Sequence, residues 1–224
     1  MPSLSEDAFC LVLQTRFQSE MFQELGNALI CIDATHNTTC YSGMPLFTIM
    51  ARDHWWHGKQ YLILGWSDLI SNVPGVPLAW MLSSNSQSET ITYFLHLIKS
   101  WNPKVRPAYL MTDCDQAQIT ALKVVYPQSQ VILCTWHALH AIQSHFRTDH
   151  FPDLWALDKT LVQTSDLAEF NKILDKITTD QTFPQSFVEY FATQWFPMVH
   201  MWSGIGRRSR SIYEESNTNM LLEG

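Results

Sequence analysis

Ala28-Leu29-Ile30-Cys31-Ile32-Asp33 is a run of five apolar residues closed by a carboxylate, and Pro107-Ala108-Tyr109-Leu110-Met111-Thr112-Asp113 repeats that arrangement later in the chain. A short apolar run without alternation reads as a strand buried on both faces. Each of these strands therefore ends on an acidic side chain. Between them, residues 44–51 and 76–83 read as two further strands. Ser86 to Trp101 carries Ile91, Phe94, Leu95 and Ile98 at helical spacing, with Glu89 near its first turn. Beyond Asp113 the pattern continues as a helix from Asp115 to Val125, a strand from Gln130 to Leu133 and a helix from Thr135 to Phe146. Upstream, Phe17, Met21, Phe22 and Leu25 predict a helix within residues 7–26, with Gly26 as its stop. Three antiparallel strands followed by βα units make an α/β fold, a mixed sheet with helices on both faces.

Residues 152–200 read as helical throughout, on Leu154, Leu157 and Leu161 and then Phe170, Ile173, Leu174 and Ile177. Residues 203–218 are rich in Ser, Arg and Asn and read as a loop. Asn219 to Glu223 reads as the first turn of a helix that the chain does not finish. The expected organisation is an N-terminal helical lead-in (1–26), an α/β core (27–150), a helical insertion with its loop (151–216), and the start of a last helix (217–224).

The 224 residues carry a formal net charge of −7, are 46% hydrophobic and only 16% charged, and include nine Trp. That composition excludes an acidic disordered tail and suits a chain with a real core. Apolar runs such as Tyr61 to Trp66 are far too short to span a bilayer, and the N-terminus lacks a signal-peptide pattern, so no membrane role is expected. Five widely spread Cys argue against a disulfide framework. The acidic balance argues against a large nucleic-acid footprint, which is normally basic.

Asp33 and Asp113 carry the chemistry. Strand ends in α/β sheets meet at one rim, where ligands usually sit. Paired carboxylates there suit hard cations such as Mg²⁺. Two such ions support phosphodiester chemistry by activating a water or a 3′-hydroxyl and stabilising the leaving oxygen. The commoner use of an Asp in this position is to cap a helix or begin a turn.

Five motifs stand in order: Ile32-Asp33-Ala-Thr35-His36-Asn-Thr, Gly75-Val-Pro-Leu-Ala-Trp80, Thr112-Asp113-Cys-Asp115-Gln-Ala117, Cys134-Thr-Trp136-His137 and Asn217-Thr-Asn-Met-Leu-Leu-Glu223. In that order, and on matching secondary structure, the chain from about residue 28 onward resembles Mutator-like (MULE) transposases. The resemblance implies a ribonuclease-H-like catalytic core of the DDE type, cutting and joining DNA with Mg²⁺ or Mn²⁺ in a two-metal site. It implies Asp33, Asp113 and Glu223 as the catalytic, metal-holding carboxylates. It implies transposon ends and target DNA as partners, a homo-oligomer and a nuclear location. Asp115 competes with Asp113, but fits better as a cap on the following helix. Glu214 and Glu215 compete with Glu223, but lie where they would offset Arg207, Arg208 and Arg210. A ribonuclease-H-like exonuclease would share the carboxylates; the Cys134–His137 signature and the long helical insertion favour a transposase.

Cys134 and His137 are the family's extra signature, with His140 one turn later. A closed zinc site needs four ligands, and no second pair accompanies them, so zinc is not expected. His137 would face the active-site rim and bond a carboxylate or a phosphate, or it is simply a satisfied histidine at a helix start. His36 beside Asp33 has the same two readings. Arg207, Arg208 and Arg210 form the one compact basic patch and are the candidate DNA contacts, against a solvated loop. Trp195, Phe196, Trp202 and Tyr190 would stack bases or pack a core, and their helical spacing favours the core.

Residues 59–75 interrupt the resemblance. Without them the chain reads Trp56-His57-Gly58-Val76-Pro-Leu-Ala-Trp80, a good hairpin turn. We expect the segment to be a translated, retained intron; the alternative is a surface insertion, which hairpins tolerate. The chain stops one residue after Glu223, and a single helical turn is not stable alone. Basic DNA-reading domains of the family are also not in this sequence, which accounts for its acidity. The expectation is a fragment that is weakly active or inactive, or a non-catalytic, domesticated remnant.

Overall fold

A computed structural model describes residues 8–37, 43–52 and 75–207. Among them run β1 (Cys10–Leu13), α1 (Arg16–Leu25), β2 (Leu29–Thr35), β3 (Leu46–Arg52), β4 (Gly75–Ser83), α2 (Ser88–Trp101), β5 (Tyr109–Thr112), α3 (Gln116–Val125) and β6 (Gln130–Leu133). The strands make one six-stranded sheet in the order β1-β4-β3-β2-β5-β6. The pairs β1/β4, β4/β3 and β3/β2 are antiparallel, and β2/β5 is parallel. This is the mixed α/β architecture expected from the sequence, with one strand more. Cys10–Leu13 forms an edge strand inside the segment read as a helical lead-in. Its alternate residues Leu11 and Leu13 are exposed, as is Phe9 before them.

The helix α1 starts at a reciprocal capping box. Gln18 N–H donates to Thr15 Oγ1 at 3.2 Å, and Thr15 N–H donates to Gln18 Oε1 at 2.7 Å. It stops at Gly26, where a Cβ would lie 2.5 Å from the Phe22 carbonyl oxygen and 3.0 Å from Val105. Pro77 sits inside β4, an interior strand, where a missing N–H is normally excluded. The β3/β4 register slips between Ile49 and Met50, opposite Ala79 and Pro77, so Pro77 falls at a bulge. β1 pairs only with Trp80 to Ser83. Upstream of that, two glutamines donate instead: Gln14 Nε2, just before α1, to the Leu78 carbonyl at 2.9 Å, and Gln18 Nε2, in α1, to the Pro77 carbonyl at 3.3 Å.

The core of this first unit, which runs to Val131, is built from fully buried side chains such as Phe22, Ile32, Phe47, Leu78, Phe94 and Leu110. Helices α2 and α3 pack on each other, and Lys99 reaches across to donate to the Val125 carbonyl.

A second compact unit begins at Ile132. It contains α4 (Thr135–Gln143), α5 (Pro152–Gln163), α6 (Leu167–Thr179), α7 (Gln185–Tyr190), a π-helical turn at Phe191–Trp195 and α8 (Val199–Trp202). Its division from the first unit lies upstream of the 150/151 boundary expected from sequence, because α4 packs on α5. Phe170, Phe187, Phe191, Trp195 and Trp202 are buried together, and Trp202 Nε1–H donates to the Trp195 carbonyl at 2.8 Å. Trp195 and Trp202 are therefore core residues, in line with their spacing. Between Leu154 and Leu161, Asp158 is also fully buried, and neither carboxylate oxygen has a hydrogen-bond partner among the described residues.

Candidate functional site

The β2/β5 ladder pairs Leu29 with Tyr109, Ile30 with Leu110 and Cys31 with Met111. Continued by two residues, this register sets Asp33 level with Asp113 at the carboxyl ends of two neighbouring parallel strands. Residues level across such a pair project to the same face, and the strands lie about 4.8 Å apart. Asp33 is the fifth residue of β2, and Asp113 directly follows β5; both are half-buried. Across the antiparallel side, Asp33 pairs with Thr48, and Thr48 with Trp80. One row across the sheet thus carries Trp80, Thr48, Asp33 and Asp113.

The turn after β5 orders the second carboxylate. Asp115 N–H donates to Asp113 Oδ1 at 3.1 Å, closing an Asx turn. The Thr112 hydroxyl lies 3.4 Å from the same oxygen and donates to Gln118 Oε1 at 2.8 Å. Asp115 turns the other way: its Oδ1 accepts from Ala117 N–H at 2.7 Å and caps α3. That is the cap role the sequence favoured for Asp115. The donor set at the rim, two carboxylates on adjacent strands, is all hard oxygen and fits Mg²⁺ or Mn²⁺. Among the described residues, no group of three or more His, Cys, Asp or Glu side chains gathers closely enough to hold a metal ion. Glu223, the third carboxylate expected, lies outside the described residues, as do Glu214, Glu215, Arg208 and Arg210.

His36 follows β2 and is exposed. In the second unit, Cys134 is buried at the N-cap of α4, and His137 is half-buried one turn into that helix. The exposed Trp136 meets His137 edge-on, with ring centroids 4.9 Å apart, and stacks on His140 at 5.1 Å.

Arg207 does not take the place expected of a phosphate contact. Its side chain is buried, donating to Thr135 Oγ1 at 2.8 Å and to the Leu133 carbonyl. The physical reason is the junction between β6 and α4: Leu133 ends a strand and Thr135 begins a helix, leaving polar groups that a buried guanidinium satisfies.

Sequence reasoning passed over three polar residues. Thr112 and Gln118 are both fully buried behind Asp113. Thr112 was legible only as the polar end of an apolar strand, and Gln118 as the one polar position on the inner face of α3. Asp158 stands four residues after Leu154, on a stripe that is otherwise apolar; burial pushes its carboxyl up to about 8.

Residues 4–132 match the family described as the RNaseH-like domain of zinc finger SWIM domain-containing protein 1/3. The match covers more than half of the chain, includes Asp33 and Asp113, and ends before Cys134. No curated protein matches the chain significantly.

Proposed function

Because the chain belongs to the zinc finger SWIM domain-containing protein 1/3 RNaseH-like domain family, we propose that it is a transposase-derived core of the DDE, Mutator-like type, acting on DNA in the nucleus. The observation that carries this reading is the common register of Asp33 and Asp113 at one rim of an RNase H-like sheet. In it, Asp33 and Asp113 hold the divalent cations, and Glu223 adds the third carboxylate. Bound Mg²⁺ or Mn²⁺ supplies activation of water or a 3′-hydroxyl and stabilisation of the leaving oxygen. The chain's own part is to hold two negative charges side by side. Asp33 lies in a strand whose ladder to β3 runs through it, opposite Thr48, and Asp113 is clamped by the Asx turn to Asp115. Hard-oxygen ligands on rigid elements keep the geometry that this chemistry needs.

A second reading is a module that keeps the fold without the cleavage chemistry; the description of the matched family names an RNaseH-like domain and no cleavage activity.

Titration calorimetry with Mn²⁺ on the wild type and on Asp33→Ala/Asp113→Ala tests the site. The core reading expects binding that the double variant loses, together with metal-dependent nicking of duplex DNA. Binding without nicking favours the second reading. Equal Mn²⁺ binding by the wild type and the double variant rules out a site on these two residues.

A further inference from the structure

Thr112 and Gln118 form a buried polar pair directly behind Asp113. Both side chains have no exposed surface. Thr112 Oγ1 lies 2.8 Å from Gln118 Oε1, to which it donates in the structure, and 3.4 Å from Asp113 Oδ1. A hydroxyl has one proton to give. If the amide turns its oxygen to Thr112, that proton goes to Gln118. Nothing then passes to Asp113, and both N–H groups of the Gln118 nitrogen are buried without an acceptor among the described residues. The two ends of a primary amide have nearly the same shape, so the donor count decides between its orientations. Turning the nitrogen toward Thr112 reduces the unanswered N–H groups from two to one. It leaves a carbonyl oxygen in the apolar position, the group that tolerates burial better.

We propose that Gln118 and Thr112 are positioning residues for Asp113: Gln118 Nε2–H donates to Thr112 Oγ1, and the Thr112 hydroxyl donates onward to Asp113 Oδ1. Together with the Asp115 N–H, the relay sets two donors on one carboxylate oxygen and fixes the plane of the group. Its anchor is the interior of α3, so the carboxylate is tied to the helix as well as to the turn. In a buried chain of this kind each hydrogen bond polarises the next. The consequence for cation binding rests on the two-aspartate reading above; the relay itself does not.

The test has two arms on the full chain, using Thr112→Val, which keeps the shape and removes the hydroxyl, and Thr112→Ser, which restores it. In the first arm, no metal is present and NMR follows the Gln118 side-chain amide protons. Thr112→Val is expected to move them upfield and speed their exchange about tenfold, the loss of one hydrogen bond. Thr112→Ser should leave them as in the wild type. Amide protons indifferent to Thr112→Val would overturn the relay. In the second arm, calorimetry with Mn²⁺ is expected to show affinity about tenfold weaker in Thr112→Val, and within about twofold of wild type in Thr112→Ser. Unchanged affinity in Thr112→Val, with the wild type binding, overturns the positioning role. A wild type that binds no Mn²⁺ sinks the cation reading instead, and the first arm still decides the relay.

Discussion

Replacing Asp158 by Asn should make the chain more stable at neutral pH and remove a pH dependence that the wild type carries. Asp158 has no exposed surface, and neither oxygen has a hydrogen-bond partner among the described residues. Burial pushes its carboxyl up to about 8, against about 3.9 for an Asp in an unfolded chain. The folded pKa is the higher one, so between about pH 4 and pH 8 the folded chain keeps a proton that the unfolded chain has released. Stability is therefore complete below about pH 4 and falls as pH rises, by about 1.4 kcal/mol per unit, until the folded carboxyl also ionises. At pH 7, about three units into that window, the accumulated loss is about 4 kcal/mol. That rivals the lower end of the ~5–15 kcal/mol that holds a typical domain folded. Asn has nearly the same volume and does not ionise, so it avoids the loss. Urea unfolding followed by Trp fluorescence, with Trp195 and Trp202 buried in the same unit, measures the difference. The two proteins should agree near pH 4 and separate progressively to about pH 8, with the Asp158→Asn variant the more stable. A gap that stays constant across this range would refute the argument.

Three further outcomes follow from the fold. The β3/β4 ladder closes at Arg52 and Gly75, so deleting residues 59–75 brings Gly58 into the place of Gly75 and leaves 53–57 as the connection. The deletion should fold and gain about 1 kcal/mol from a roughly fourfold shorter chain between β3 and β4, measured by chemical denaturation. Sequencing the spliced transcript tests the intron expectation separately, and a message that contains these codons ends it. Thr15→Ala removes the hydroxyl of the capping box at the start of α1 and should destabilise by about 1 kcal/mol in thermal unfolding. Arg207→Met strands the Leu133 carbonyl and Thr135 hydroxyl; it should cost about 2 kcal/mol of stability by denaturant titration, a loss that a solvent-facing DNA contact would not show.

The parts of the fold that could be read from the chain were those in which one physical signal dominated. β2 opens on four apolar residues and β5 is apolar up to Thr112, and Asp115 stands where a cap belongs, so their reading needed no tertiary information. β1 was hidden because Cys10–Leu13 adjoins a strong helical pattern and is too short to show a period of its own. Pro77 gave no warning of a bulge, since the groups that answer the carbonyls beside it, Gln14 and Gln18, are far away in sequence. Arg207 was misplaced because charge in a run of Arg and Ser reads as solvated, whereas the β6–α4 junction draws this guanidinium inward. Asp158 and Gln118 sit on helical faces whose periodicity counts them as exceptions. Only the folded interior reveals that they are buried and short of partners among the described residues.

The pairing of Leu29 with Tyr109 and Cys31 with Met111 has an evolutionary corollary. What brings the two acids together is parity, an even step along each of two neighbouring strands, and not the length of chain that separates them. Between β2 and β5, residues can be added in the connections outside β3, β4 and α2 without changing that parity. A single-residue frameshift in either strand would instead turn one acid to the far side of the sheet. Lineages of this fold are thus free to accumulate insertions in the hairpins and are held strictly to count within the two short strands.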